Sequence, residues 1–387
     1  MKIVLAPDSF KGNLTSLQVA DAMEKGIRRV LPKARVVKVP MADGGEGTVQ
    51  SLVDATGGRI VRKKVTGPAG KSVNARYGIL SDGETAVIEM AEASGLPMVA
   101  GKDKNPMNTT TYGTGELMLD AMKKGAKTII IGLGGSATND AGSGMAQALG
   151  IKFLDGKGRI LSDLGSGGLL ARIKDIDMSG ITPLLKQTKI IVACDVNNPL
   201  YGKKGAAYVF GPQKGASPAM VKKLDDNLKH FAKIIKQSLR KDVNKIKGAG
   251  AAGGLGAGLV AFTKARMKSG VDIVIDYTEL AKHIKGADLV ITGEGRVDFQ
   301  TAFGKTPAGV AKTAKKQGVP TIAIGGGLSD DANGVFAHGI AGLEAAIARD
   351  MEIEEALANA KLFLANAAER VIRTVIIGRK TVKNIKK

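Results

Sequence analysis

Cysteine occurs once in the 387 residues, at Cys194, so an internal disulfide is impossible and a reducing, cytoplasmic setting is expected. Its place in an apolar run suits a packed small residue better than a nucleophile. Histidine occurs three times, at His230, His283 and His338, never at metal-ligand spacing, which argues against zinc chemistry. Aromatics make up only 4%, and no stretch interleaves them with basic residues as a nucleic-acid stacking surface would. No apolar run has the length of a membrane span, and the stretch Met1 to Asp8 is too short and too soon interrupted for a signal peptide. Acids are outnumbered, 36 against 57 Lys and Arg, for a net charge of +21. The lysines are dispersed through helical patterns such as residues 221–240. That suits a solvated surface favouring small anions, with no nucleic acid and no membrane as partner.

Glycine is plentiful, 52 residues gathered where apolar runs end. Apolar strands at 2–5 and 36–39 alternate with helical spacing at 16–30 and 49–55, the pattern of an open, mostly parallel sheet. Residues 59–66, 72–80 and 86–90 are β-rich, as in an antiparallel or mixed unit. Strands at 128–131, 151–154 and 190–193 and helices at 112–124, 218–240 and 248–262 follow. Doubly wound signals return with strands at 287–291 and 320–324 and helices at 306–317 and 353–377. The expected fold is α/β with two domains. A doubly wound Rossmann- or flavodoxin-like domain is built from 1–70 and 286–387, and a mixed α/β domain, 71–285, is inserted into it.

Polar glycine clusters at 8–12, 43–47, 132–144, 195–202, 211–215 and 293–300 are expected at strand ends, where open α/β sheets bind ligands. They supply carboxylates (Asp8, Asp43, Glu46, Asp140, Asp195, Glu294, Asp298) and lysines (Lys11, Lys214). Hard oxygens beside glycine-cradled lysines suit Mg²⁺ and phosphate. Each cluster has a plainer reading as turn or helix cap. Gly304-Lys305-Thr306 resembles the end of a P-loop, but Phe299 stands where the first glycine should be. One rival remains. Gly132-Leu133-Gly134-Gly135-Ser136-Ala137 fits a dinucleotide fingerprint, with Asp155 about twenty residues on, which would suit an NAD-dependent dehydrogenase. Thr138-Asn139-Asp140 is surplus to that reading.

The strings Pro7-Asp8-Ser9-Phe10-Lys11-Gly12, Pro40-Met41-Ala42-Asp43-Gly44-Gly45-Glu46-Gly47-Thr48, Gly134-Gly135-Ser136-Ala137-Thr138-Asn139-Asp140, Cys194-Asp195-Val196-Asn197-Asn198-Pro199-Leu200, Phe210-Gly211-Pro212-Gln213-Lys214-Gly215, Gly250-Ala251-Ala252-Gly253-Gly254-Leu255-Gly256 and Thr292-Gly293-Glu294-Gly295 recur together and in order. In this they resemble the signature blocks of the type-1 bacterial glycerate kinases, and the match loosens after Gly325. The resemblance implies ATP-dependent phosphorylation of D-glycerate with Mg²⁺, in a cleft between two α/β domains. The 2-hydroxyl is favoured and the 3-hydroxyl stays open; so does a homodimer.

Within that reading Asp195 is the expected proton acceptor, a lone acid at an apolar strand end poised by partial burial. Asp43 is the second choice; alternatively, Asp43 or Glu46 holds Mg²⁺. Lys11 and Lys214 face anionic groups. Ser136, Asn139 and Asp140 lie against phosphate or glycerate. Glu294 and Asp298 are metal or ribose candidates. Ser9, Gly44, Gly45, Asn198, Gln213, Gly293, Gly295 and Gln300 complete the expected binding set.

Overall fold

The structure, a computed structural model, describes residues 1–302 and 304–385. In chain order its strands are β1 (Lys2–Leu5), β2 (Arg35–Lys38), β3 (Arg59–Thr66), β4 (Ser72–Ile79), β5 (Thr85–Glu89), β6 (Thr128–Gly132), β7 (Lys152–Leu154), β8 (Asp175–Asp177), β9 (Lys189–Ala193), β10 (Arg266–Lys268), β11 (Leu289–Val297), β12 (Thr321–Leu328) and β13 (Gly342–Ala345). They divide between two compact units. One holds residues 1–43, 50–57 and 271 onward; the other holds 44–49 and 58–270.

The first unit is a five-stranded sheet in the order β13-β12-β11-β1-β2, with every pairing parallel. Counted along the chain within this unit, that is the 2-1-3-4-5 order of flavodoxin-like folds. Helices Ser16–Val30 and Ala360–Ile385 cover one face. Their apolar stripes, Val19, Met23 and Ile27 against Leu364, Ala368 and Ile372, share a core with Ile3, Leu5 and Ile291. Gly26 lets the two helices close: a Cβ there would stand 1.9 Å from the Ala365 carbonyl oxygen. A capping box opens the first helix. The Thr15 hydroxyl accepts from Gln18 N, and the Gln18 side chain accepts from Thr15 N. A smaller cluster of Val297, Ala311, Ala323, Val335 and Ile340 joins helix Thr306–Lys315 to β11 and β12.

The second unit is a six-stranded mixed sheet, β10-β9-β6-β5-β4-β3. Its β5, β6, β9 and β10 run parallel, while β3 and β4 form an antiparallel hairpin. The amphipathic helix Pro218–Leu239 seals it with Val221, Leu224, Leu228 and Phe231. β7 and β8 make a separate two-stranded antiparallel sheet.

The units divide elsewhere than at the expected 70/71 and 285/286. β3 pairs with β4 over its full length, from Arg59↔Ile79 to Thr66↔Ser72, so both strands go with the second unit. Helix Gly270–Tyr277 goes almost wholly with the first. Its Val271 would lie 2.2 Å from a Cβ on Gly309, a contact only glycine permits.

Candidate active site

In the first unit chain direction reverses between β1 and β11: the β1 crossover leads out to β2, and the chain beyond β11 leads the other way to β12. Ligands bind at such a switch point, beyond the carboxyl ends of the strands. A cavity of about 440 Å³ lies there. Asp8, Lys11, Glu294, Arg296 and Lys305 line its charged part, and Phe10, Ile353, Ala356, Leu357 and Phe363 its apolar part.

The loop after β1 stays on the sheet, because Asp8 N donates to the Gly293 carbonyl at 2.8 Å. The Asp8 carboxylate is buried. It accepts from Ser9 N and from the Thr306 hydroxyl, both at 2.6 Å. Burial, reinforced by the nearby negative charge of Asp43, pushes its pKa up to about 6 against the pull of those hydrogen bonds. Burial likewise pushes Glu294 up to about 7, with Thr301 and Lys305 opposing and Asp8 and Asp298 adding. Glu294 Oε1 is buried and has no hydrogen-bond partner among the described residues. Lys11 Nζ lies 3.0 Å from Asp43 Oδ2, and Lys305 Nζ lies 3.9 Å from the same oxygen. Burial works to lower the Lys11 pKa, but Asp43, Asp8 and Glu294 together hold it above its ordinary value.

The cluster expected as a loop at 293–300 is largely strand. β11 runs to Val297, paired with β12 as far as Leu328. Glycines on both strands permit that close approach: a Cβ on Gly293 would meet the Ile324 carbonyl at 2.2 Å, and one on Gly326 the Gly295 carbonyl at 2.4 Å. Glu294 is therefore a strand residue aimed at the cavity. Asp298 differs from its expected role as a second metal ligand. Its Oδ1 accepts from the backbone N of Gln300 at 2.8 Å and of Thr301 at 3.3 Å, as turn acids do. Gln300 is exposed on that turn, away from the cavity lining. Among the described residues no group of three or more His, Cys, Asp or Glu side chains is placed to hold a metal. Magnesium asks for less, one or two carboxylates plus phosphate oxygens. The orphaned Glu294 oxygen and Asp8 in one cavity meet that need.

In the second unit the loop after β6 is closed on itself. Asp140 is wholly buried, and its carboxylate accepts from Thr111 N (2.9 Å), the Thr111 hydroxyl (2.7 Å), Gly142 N (3.1 Å) and Gly144 N (3.2 Å). Burial still drives its pKa up, against those four donors. Lys214 is 2% exposed and donates to Ser136 Oγ at 2.8 Å and to the Thr138 carbonyl at 2.7 Å. Burial lowers it to about 7, opposed by Asp140. Asp140 and Lys214 thus hold the loop's shape. Asn139 is also fully buried, and neither atom of its carboxamide finds a partner among the described residues.

Gly44 sits with this unit for want of a side chain: a Cβ would lie 2.6 Å from Gly270 Cα and 3.1 Å from Ala193 Cβ. Gly45 follows it and Glu46 is exposed. Glu89, which the sequence did not single out, holds the same segment, since its Oε1 accepts from Val49 N at 2.8 Å. Asp195 is exposed rather than partly buried, because β9 ends at Ala193 and Asp195 lies two residues beyond the sheet. Its Oδ1 accepts from Gly270 N at 3.2 Å. Asn198 turns inward on its own loop, donating to the Lys204 carbonyl at 2.8 Å. The 211–215 cluster follows helix Ala206–Phe210 instead of a strand, which leaves Gln213 exposed while Lys214 is buried.

The dehydrogenase alternative does not fit. The strand carrying Asp155 after it, β7, pairs antiparallel with β8 and is no neighbour of β6. Asp155 accepts from Lys157 N and Arg159 N and pairs with the Arg159 guanidinium, as a turn residue would. The candidate-site residues that the sequence reading did not single out are Lys305, Thr306, Arg296 and Glu89. For Lys305 and Thr306 a signal existed in Gly304-Lys305-Thr306, set aside for its spacing.

The comparisons with known proteins bear on the family and the fold. The model of the glycerate kinase family matches residues 3–376. A glycerate kinase of Halalkalibacterium halodurans is 53% identical over 369 residues, covering 95% of this chain and 97% of the relative. The Escherichia coli protein named glycerate 2-kinase is 51% identical over 379 residues, covering 98% and 99%. A crystal structure from Salmonella typhimurium LT2, of a protein provisionally named glycerate kinase 2, superposes with a TM-score of 0.90 at 47% identity, covering 98% of this chain and 99% of that one. With a match along nearly its whole length, this chain belongs to the glycerate kinase family and is a kinase.

Proposed function

We propose that this kinase transfers the γ-phosphoryl group of ATP to the 2-hydroxyl of D-glycerate, giving 2-phospho-D-glycerate and ADP. The observation that carries the nucleotide part is the switch-point cavity, apolar on one side for a base and charged on the other for phosphates. The 2-position is supported by the name of the Escherichia coli relative, a glycerate 2-kinase. In the transfer the glycerate hydroxyl oxygen forms a bond to the γ-phosphorus, the bond from that phosphorus to the β,γ-bridging oxygen breaks, and the hydroxyl proton passes to a carboxylate.

Asp195 is the proposed acceptor. Its case no longer rests on burial; it rests on its competitor's commitments, because Asp43 is already ion-paired with Lys11 and close to Lys305. Asp8 and Glu294 would hold Mg²⁺, which would offset negative charge on the phosphates. Ser9 and Gly295 line the same cavity, with Gly293 behind it. Ser136, Asn139, Gly44, Gly45 and Glu46 are the proposed surroundings of glycerate. Asp140 and Lys214 support that loop from inside rather than touching the ligand.

A coupled assay of ADP release on D-glycerate, with NMR of the product, tests the proposal. Phosphorus coupled to the C2 proton is expected. Coupling to the C3 protons would overturn the position, and no ADP release would overturn the reaction.

A further inference from the structure

Gly304-Lys305-Thr306 lacks P-loop spacing, yet the fold brings its lysine into the cavity. Lys305 and Lys11 come from opposite ends of the chain and both line the charged part. Both ammonium groups lie on one carboxylate oxygen, Asp43 Oδ2, at 3.0 and 3.9 Å. The neighbouring Thr306 hydroxyl binds Asp8 at 2.6 Å, so the segment carrying Lys305 is tied to the loop carrying Lys11. Two cations meet at one carboxylate, and the other acids of this cavity, Asp8 and Glu294, are the ones proposed above for Mg²⁺. Glycerate carries a single negative charge, which one lysine satisfies. Two convergent lysines suit a ligand with several negative oxygens close together. The apolar wall of Ile353, Leu357 and Phe363 completes a site for a molecule that is apolar at one end and polyanionic at the other.

We infer that Lys305 and Lys11 clamp the polyphosphate tail of the nucleotide, with Asp43 as the positioning residue that holds the two ammonium groups together. The assignment rests on the nucleotide reading proposed above and deepens it. Asp43 keeps the lysines side by side, and phosphate oxygens then share them. Lys305 is a third exposed, so its replacement leaves the core untouched.

Equilibrium titration of the full-length chain with ADP, AMP and adenosine tests the clamp. In the wild type, affinity rises with the number of phosphates. Lys305→Met weakens ADP by about tenfold or more, the scale of a lost charge-assisted hydrogen bond, and leaves adenosine within about twofold. Lys305→Arg recovers most of the ADP affinity. Asp43→Asn lowers ADP affinity and reduces the coupling between Lys305→Met and Lys11→Met in a double-mutant cycle. ADP binding unchanged in Lys305→Met, or adenosine weakened as much as ADP, overturns the clamp alone. A wild type that binds none of the three overturns the nucleotide reading and the clamp with it.

Discussion

The two units use the charged side chains of their loops in opposite ways. In the first, Asp8, Glu294, Lys11 and Lys305 line a cavity, and one Glu294 oxygen has no hydrogen-bond partner among the described residues. In the second, Asp140 and Lys214 are spent on their own backbone. The same residue types, beside similar glycine loops, thus serve a cavity in one unit and a loop's shape in the other. What separates the cases is where the hydrogen-bond capacity goes. A satisfied buried charge supports structure; an unsatisfied one beside a cavity waits for a ligand.

Substitutions that remove one charge at a time sharpen that contrast. The largest loss of stability is expected from Asp140→Ala, which orphans four buried donors and should cost about 3–5 kcal/mol in urea unfolding. A cost below about 1 kcal/mol would contradict a structural role. Next is Lys214→Met, read as a slope against pH. Folding lowers this lysine's pKa from 10.5 to about 7, so between those values the unfolded chain holds a proton that the folded one has released. Stability of the wild type therefore climbs with pH across that window, with a contribution of up to ~1.4 kcal/mol per pH unit. The variant lacks that contribution, and parallel wild-type and variant slopes would refute the neutral, shape-holding lysine.

Glu294→Gln should act in the reverse sense. Burial raises the folded pKa to about 7 from 4.5, so the group's contribution is full below pH 4.5 and lost as pH rises through about 7. Above that pH the variant should equal or exceed the wild type in stability, by on the order of 1 kcal/mol after solvent screening, while turnover collapses. A variant that is both active and less stable would place Glu294 with the structural acids. Mg²⁺ binding should weaken on the acid side of about pH 7, because a protonated Glu294 must release its proton to take the ion. The smallest change in stability, within about 0.5 kcal/mol, is expected for the exposed Asp195→Asn. Its turnover should drop by about 10²–10⁴, the usual worth of a general base. Near wild-type turnover would remove Asp195 from the mechanism.

Much of this was legible in the chain, for reasons tied to local chemistry. The apolar runs at 2–5 and 128–131 read as strands because each is a short run with three consecutive buried side chains, soon closed by proline or glycine. Asp8, Lys11 and Glu294 were legible as candidates because polar residues among glycines at strand ends suit ligand binding, though turns and caps use the same residues. What escaped depended on contacts across the chain. The sheet continues to Val297 because β12 supplies Gly325, Gly326 and Gly327 opposite it, a fact about a partner strand. Lys214 is buried because Ser136 and the Thr138 carbonyl, 78 and 76 residues away, accept its protons. Asp195 read as half-buried because the run before it is apolar, but the sheet stops before the carboxylate is covered. Lys305 was set aside because a spacing rule for one loop type was applied to a lysine that reaches the switch-point cavity from another backbone.

The pairing of β1 with β11 also constrains how the molecule is made. Ile3 lies opposite Leu289, and β1 has β2 on its other side, so the middle of this sheet joins strands far apart in the order of synthesis. At about 5–20 residues per second, the ribosome needs on the order of 15–60 s to deliver β11 after β1 emerges. Over that interval β1 and β2 lack their third strand, and their apolar faces lack helix Ala360–Ile385. The strands from β3 to β10 are complete before β11 exists. The six-stranded sheet can therefore be completed before the five-stranded one, whose β1 keeps an unpaired edge until β11 arrives.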